Sequence, residues 1–302
     1  EAGAAVPGKC FEGKEEIQLE RPREGHRTAF GVGKMKYDPV KRTIGDVVRH
    51  NLLLRKFFYK LLGVLFLREW HVKRELRRLL QEKPTMRLFD AGCGFGQYSY
   101  YCARKFSGLS ILAVDVKDEQ VEDCRHFFKK AGLKNVEFGV EDLNEPKHES
   151  EFDFILSVDV MEHIPDDAGV FRNFHRALKP GGRLLVNTPS NLGGSDAHSP
   201  DDKSFIEEHA RVGYGVAEIR QKLGSSGFQV EAVKFTYGPY GNMAWRIGIK
   251  VPMKILGASR LFFVLLPFYY VLALPVALPL MYVDYISDNK AGAGLIVIAR
   301  KP

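Results

Sequence analysis

Asp90 ends a short apolar run and opens onto Ala91-Gly92-Cys93-Gly94-Phe95-Gly96, a turn with glycine at every second position. Glycine there lets the backbone approach a ligand at the carboxyl end of a strand, because no Cβ intervenes. A dinucleotide fingerprint, G-x-G-x-x-G, needs glycine at position 97, where this chain has Gln97. An acid beside the turn repels a pyrophosphate and suits a ligand carrying an amino group; S-adenosylmethionine is such a ligand. Nineteen residues past Gly96, Asp115 ends a second apolar run and is followed by Val116. Its carboxylate can accept hydrogen bonds from both hydroxyls of a ribose. After a third run, Asp142 in Glu141-Asp142-Leu143 can receive an adenine amino group while Leu143 covers the ring. Three acids at the ends of three successive strands would line one ligand from its methionine end to its base.

The elements that must hold these acids alternate in type. Strands are predicted near Met86–Asp90, Ser110–Asp115, Val136–Gly139, Phe152–Val158 and Gly182–Thr188, with helical spacing between them, the pattern of a parallel sheet wrapped by helices. Between the fourth and fifth, Val170, Phe171, Phe174, Ala177 and Leu178 form the buried stripe of a helix with Pro165 in its first turn, ended by Lys179-Pro180-Gly181-Gly182. A helix over Val216–Leu223, a Gly-Ser turn and a sixth strand, Phe228–Phe235, follow, and Gly292–Arg300 reads as a last strand. The core therefore spans 84–235 and is completed by 292–302.

From Arg87 to Asn191 the chain resembles a class I S-adenosylmethionine-dependent methyltransferase, of the small-molecule type found in ubiquinone and menaquinone biosynthesis. The motifs are Phe89-Asp90-Ala91-Gly92-Cys93-Gly94-Phe95-Gly96, Val114-Asp115, Phe152-Asp153-Phe154-Ile155-Leu156-Ser157-Val158, Val160-Met161-Glu162-His163-Ile164-Pro165 and Leu178-Lys179-Pro180-Gly181-Gly182. The resemblance implies a Rossmann-like, doubly wound seven-stranded α/β sheet in the order 3-2-1-4-5-7-6 with the last strand antiparallel. It implies S-adenosylmethionine as cofactor, with Asp90, Gly92, Gly94, Gly96, Gln97, Asp115, Val116, Asp142, Leu143, Ser157 and Val158 as its candidate contacts, and no metal. Enzymes that methylate exocyclic amines of nucleobases share an Asn/Asp-Pro-Pro-aromatic turn after the fourth strand. This chain has Val158-Asp159-Val160-Met161 there, which argues against base methylation.

Methyl transfer from a sulfonium is an in-line displacement that needs alignment, dryness and, for some acceptors, a base. His163 and His209 are the candidate bases, and Arg211 and Tyr214 could orient an oxygen-bearing acceptor or pin the loop that carries them.

Composition bears on the acceptor. The net charge of +7 is concentrated between Lys41 and Lys83, where twelve Lys/Arg face four Asp/Glu, and the rest of the chain is nearly balanced. The cations are interleaved with Leu52, Phe57, Phe58, Leu61, Phe66 and Trp70, so 41–83 reads as two basic amphipathic helices, broken near Gly63, suited to a membrane surface more than to nucleic acid. Residues 1–40 read as a loose arm.

The insertion 236–291 holds a run, Leu261–Val283, without one charged residue. Its length would suit a membrane span, but both ends return to neighbouring strands on one edge of the sheet, so a single crossing is excluded. Pro267, Pro275 and Pro279 are expected to break it into a re-entrant or interfacial hairpin, with Arg246, Lys250, Lys254 and Arg260 for head groups and Tyr269, Tyr270, Tyr282 and Tyr285 at the interface.

The expected acceptor is thus lipid-like (a sterol, quinol or polyketide, O- or C-methylated), and the expected location is intracellular and peripheral to a membrane. An RNA methyltransferase and a non-catalytic, membrane-tethered scaffold that binds S-adenosylmethionine are the alternatives. Cys10, Cys93, Cys102 and Cys124 form no C-x-x-C pair, as suits a reducing compartment.

Overall fold

The computed structural model describes residues 51–81, 85–193, 210–258 and 263–302. The arm over 1–40, the start of the first helical segment, His209, and Arg260 with the first residues of the charge-free run lie outside them.

Helix α1, Leu52–Leu65, begins where the Asn51 side chain accepts hydrogen bonds from the Leu53 and Leu54 amides at 2.9 and 3.2 Å, a cap worth about 1 kcal/mol. It ends at Phe66, whose extended backbone separates it from α2, Leu67–Leu79. The break thus falls three residues beyond Gly63, which stays inside α1 and accepts the Trp70 indole N–H at its carbonyl, 2.6 Å away.

The core then alternates as β1 Met86–Ala91, α3 Gln97–Lys105, β2 Leu109–Asp115, α4 Asp118–Lys130, β3 Val136–Val140, β4 Phe152–Val158, a 3₁₀ turn over Met161–His163, α5 Asp167–Ala177, β5 Leu178–Pro189, α6 Val216–Ser225 and β6 Gln229–Thr236. The Asp166 side chain caps α5 through the Gly169 amide at 2.9 Å, so Pro165 lies before that helix and not in its first turn. The insertion contains α7 Pro239–Trp245, a π turn Arg246–Lys250, α8 Val251–Ala258 and α9 Leu266–Ile286, and β7 Gly294–Arg300 closes the fold.

The seven strands lie in the order β3-β2-β1-β4-β5-β7-β6, with β7 antiparallel to both neighbours, as the motifs imply. Alternate side chains of the sheet feed two cores. Leu88, Ile111, Phe154 and Leu156 pack beneath α2, α3 and α4 through Val72, Leu76, Tyr98, Cys102 and Phe127, while Phe89, Val114 and Ile155 pack beneath α5 and α6 through Val170, Phe171, Phe174 and Ile219. Every parallel strand ends on one edge, which therefore collects the loops that carry the acids.

One expectation about the helices of the insertion is corrected. Pro275 and Pro279 lie inside α9 without ending it, and Pro267 occupies its first turn; the hairpin is formed instead by α7 and the π turn against α9. What offsets the missing amides is packing on one side. Ala273, Ala277 and Met281 are buried at helical spacing, and the Tyr269 and Tyr270 hydroxyls donate to the carbonyls of Ile247 and Gly248 at 2.6 and 2.9 Å, in the π turn. Those tyrosines therefore pin the hairpin. Several of the described cations of the basic run are paired within the protein. Arg55 pairs with Asp123, Arg68 with Asp159, Lys73 with Glu69 and Arg78 with Glu75.

Candidate cofactor and acceptor site

Asp90 stands at the carboxyl end of β1, 3% exposed, and accepts a hydrogen bond from the Ser99 hydroxyl at 2.5 Å. Burial pushes its carboxyl up to about 6; Ser99 opposes that rise and the charge of Asp115 adds to it. A cationic amino group beside it would lower that pKa again.

The turn that follows is built on left-handed glycines, with φ of +84°, +52° and +73° at Gly92, Gly94 and Gly96. Their surroundings differ. A Cβ at Gly92 would overlap the Val160 side chain, and one at Gly96 would press on Cys124 and Phe128 at 3.2 Å, but one at Gly94 would meet nothing within 4 Å. Gly94 is the glycine that faces open space, as a ligand-approach position must. Gln97 begins α3 beside it, half-buried.

Asp115 receives the Gly94 amide on one oxygen and the Lys117 amide on the other, each at 3.0 Å. The second acid thus also orders the turn of the first. Val116 next to it is exposed. Asp142, exposed after β3, accepts from the Asn144 backbone and side-chain amides at 2.9 and 2.8 Å. Leu143 is buried in the core beneath α5, and its carbonyl accepts from Asn173 at 2.9 Å. At the end of β4, Val158 is half-buried and Ser157 fully buried, with a hydroxyl that has no hydrogen-bond partner. A buried hydroxyl left unpaired disfavours folding unless something else satisfies it.

His163 ends the 3₁₀ turn and is exposed, whereas Glu162 beside it is buried, with Thr188 donating to its carboxylate at 3.1 Å. Burial pushes the Glu162 carboxyl up, partly offset by its own backbone amide and by the charge of His163. Arg211 pairs with Asp167 at 2.7 Å and with Glu218 at 3.5 Å, and the buried Tyr214 hydroxyl donates to Asp167 at 2.6 Å. These bonds tie the loop that carries them to α5 and α6.

Sequence reasoning missed the residues that α2 brings to this edge. Arg68 at the start of α2 is ion-paired with Asp159, which follows β4 at a φ of +52°, and its backbone amide donates to the Tyr237 hydroxyl, 3.1 Å away, beyond β6. Burial opposes the charge of Arg68, but the Tyr98 and Tyr237 hydroxyls and the Glu69 carboxylate around it outweigh that effect and push its pKa up. Nothing distinguishes Arg68 among the cations of its segment until α2 is folded onto β4.

Residues 82–231 match a family described as a methyltransferase domain. The chain carries a class I S-adenosylmethionine-dependent methyltransferase domain. Phosphoethanolamine N-methyltransferase 3 of Arabidopsis thaliana is 30% identical over 158 residues, 52% of this chain and 31% of that protein. The ubiquinone biosynthesis O-methyltransferase of Xanthomonas axonopodis pv. citri (strain 306) is 28% identical over 173 residues, 54% of this chain and 71% of that one. Among solved structures, phosphoethanolamine N-methyltransferase 2 of Haemonchus contortus, in complex with S-adenosyl-L-methionine, superposes with a TM-score of 0.58 at 21% identity, covering 86% of this chain and 60% of that one, a likeness of fold. The chain spans about a third of the length of its plant phosphoethanolamine relatives, 31% and 37% for the two from Arabidopsis thaliana.

Proposed function

We propose that the chain transfers a methyl group from S-adenosylmethionine to a lipid-like small molecule at a membrane surface, with an oxygen or carbon atom as the favoured acceptor. The observation that carries this reading is a juxtaposition on one edge of the sheet. Acids stand at the tips of β1, β2 and β3 around an open glycine, and the apolar hairpin leaves from the tip of β6 and returns at Gly294, opposite Thr236 and Pro189. The relatives support a small acceptor, being named for phosphoethanolamine and ubiquinone biosynthesis.

The residues fit the cofactor. Asp90 would bind its ammonium group, Asp115 its ribose hydroxyls and Asp142 its adenine amino group, with Gly94 leaving room and Ser157 offering an unpaired hydroxyl. When bound, the sulfonium supplies an already activated methyl group, so the protein's task is alignment and exclusion of water. Arg68 joins Asp159 after β4 to Tyr237 after β6 on this edge, and Glu162, whose carboxyl burial pushes up, lies near Arg68.

Two measurements test the reading. Calorimetry should give a dissociation constant for S-adenosylhomocysteine that weakens by roughly tenfold or more in Asp115→Ala, since two charge-assisted contacts go and the Gly94 amide loses its acceptor. A lipid extract incubated with the enzyme and labelled methyl donor should yield a labelled lipid by mass spectrometry. A chain that does not bind the nucleoside, or labels only water-soluble amines, overturns it.

A further inference from the structure

Arg55 is a cation placed where cations rarely go. It lies on α1, 1% exposed, with all three nitrogens engaged: Nε donates to the Tyr59 hydroxyl at 2.9 Å, Nη1 to Asp123 at 2.6 Å, and Nη2 to the Phe95 carbonyl at 2.8 Å and the Cys124 sulfur at 3.2 Å. Its guanidinium lies 4.5 Å from the centre of the Phe127 ring. Tyr59 donates its own hydroxyl to the same Phe95 carbonyl, and Cys124 lies 3.5 Å from the Gly94 carbonyl. Two consecutive carbonyls of the glycine turn are thus drawn backward onto α1 and α4. A trans peptide points its N–H opposite to its C=O, so this turns the Phe95 amide forward, to the side where Asp115 already holds Gly94.

A buried ion pair is a poor way to gain stability, since apolar residues of the same volume do as well or better; what it secures is one geometry. Here the geometry secured is that of the turn.

We propose that Arg55 and Tyr59 are positioning residues for the cofactor turn, so that α1, remote in sequence from every methyltransferase motif, forms the back wall of the nucleoside site. The inference rests on the reading of this turn as the S-adenosylmethionine site. Helix α1 therefore contributes to donor affinity without touching the donor.

The test compares Arg55→Gln and Tyr59→Phe with wild type in the full chain, by calorimetry with S-adenosylhomocysteine and by hydrogen exchange in the unliganded protein. Arg55→Gln should weaken binding about tenfold or more and Tyr59→Phe about threefold, following the loss of charged and neutral hydrogen bonds. In both, the Gly94 and Gly96 amides should exchange faster while sheet amides such as Leu112 and Leu156 keep wild-type rates. With labelled donor, KM should rise while kcat stays within about twofold, a split that follows from weakened donor binding alone. Wild-type affinity together with wild-type exchange at Gly94 and Gly96 overturns the proposal. If Arg55→Gln does not fold, Tyr59→Phe decides by the same readouts, since it removes one oxygen and leaves the ring packed. Should wild type fail to bind the nucleoside, the proposed function falls, whereas unchanged turn exchange is what would remove the clamp.

Discussion

Asp90 is held by the fold in a state its ligand should reverse. Its carboxyl titrates near 6 when nothing cationic is beside it, against 3.8 for the free side chain. The folded, unliganded protein therefore binds more protons than the unfolded chain between those two values. Stability falls as pH rises from about 4 to about 6, by about 3 kcal/mol for a shift of this size. An ammonium group placed against Asp90 lowers that pKa, so binding releases a proton in the same window. Affinity for S-adenosylhomocysteine should accordingly rise between pH 5 and pH 7. Calorimetry in two buffers of different ionisation enthalpy would measure the released proton, and Asp90→Asn should abolish the release while weakening binding. A pH-independent affinity in wild type would assign the amino group to another partner.

At the scale of elements, the strands were legible in the sequence and the contacts between helices were not. The apolar runs that end in Asp90, Asp115 and Val158 fall on β1, β2 and β4 to within a residue, because a strand buried on both faces leaves a continuous apolar signature. The acids at their tips could be found for the same reason. Arg55, Arg68 and Asp159 could not: each gains its meaning from a partner tens of residues away, and a basic amphipathic helix has the same pattern whether it lies on lipid or on protein. The prolines of α9 misled in a complementary way, since local propensity predicts a break that burial of Ala273, Ala277 and Met281 against α7 overrides. The crossing of α2, α7 and α9 gives a sharp test of that packing. Gly241 lies in it, its amide donating to the buried Asp284 at 3.0 Å, and a Cβ there would come within 2.7 Å of both Asp284 and Leu67. Gly241→Ala should cost about 1–3 kcal/mol, the range for overpacking a core, and lower the melting temperature by several degrees. An unchanged melting temperature would mean that these three helices do not meet there.

For the whole molecule, the question is what covers the outer face of α9. Its inner face is satisfied by α7 and α2, yet Phe268, Val271, Leu272, Val276 and Ile286 stay exposed, Leu272 by as much as 78%. Scattered apolar side chains on a surface need no explanation, but a continuous stripe along a helix of 21 residues does. The helix is about 31 Å long at 1.5 Å per residue, and both ends of the insertion return to the same sheet edge, so the geometry suits lying in an interface better than crossing one. Arg246 in the π turn and Lys254 on α8 are exposed. Each large apolar side chain transferred from water contributes about 1.5–3 kcal/mol, so Phe268→Ser with Leu272→Ser should lower the partition onto anionic vesicles by roughly two to four orders of magnitude. Because both positions face solvent, the same protein should keep its melting temperature and its affinity for S-adenosylhomocysteine. Wild-type binding should also weaken as salt is raised, since screening removes the attraction of the two cations for the head groups but leaves the apolar contribution. Flotation unaffected by the double substitution would separate the methyl donor site from any membrane role of the hairpin, and would leave α9 to be covered by another protein surface.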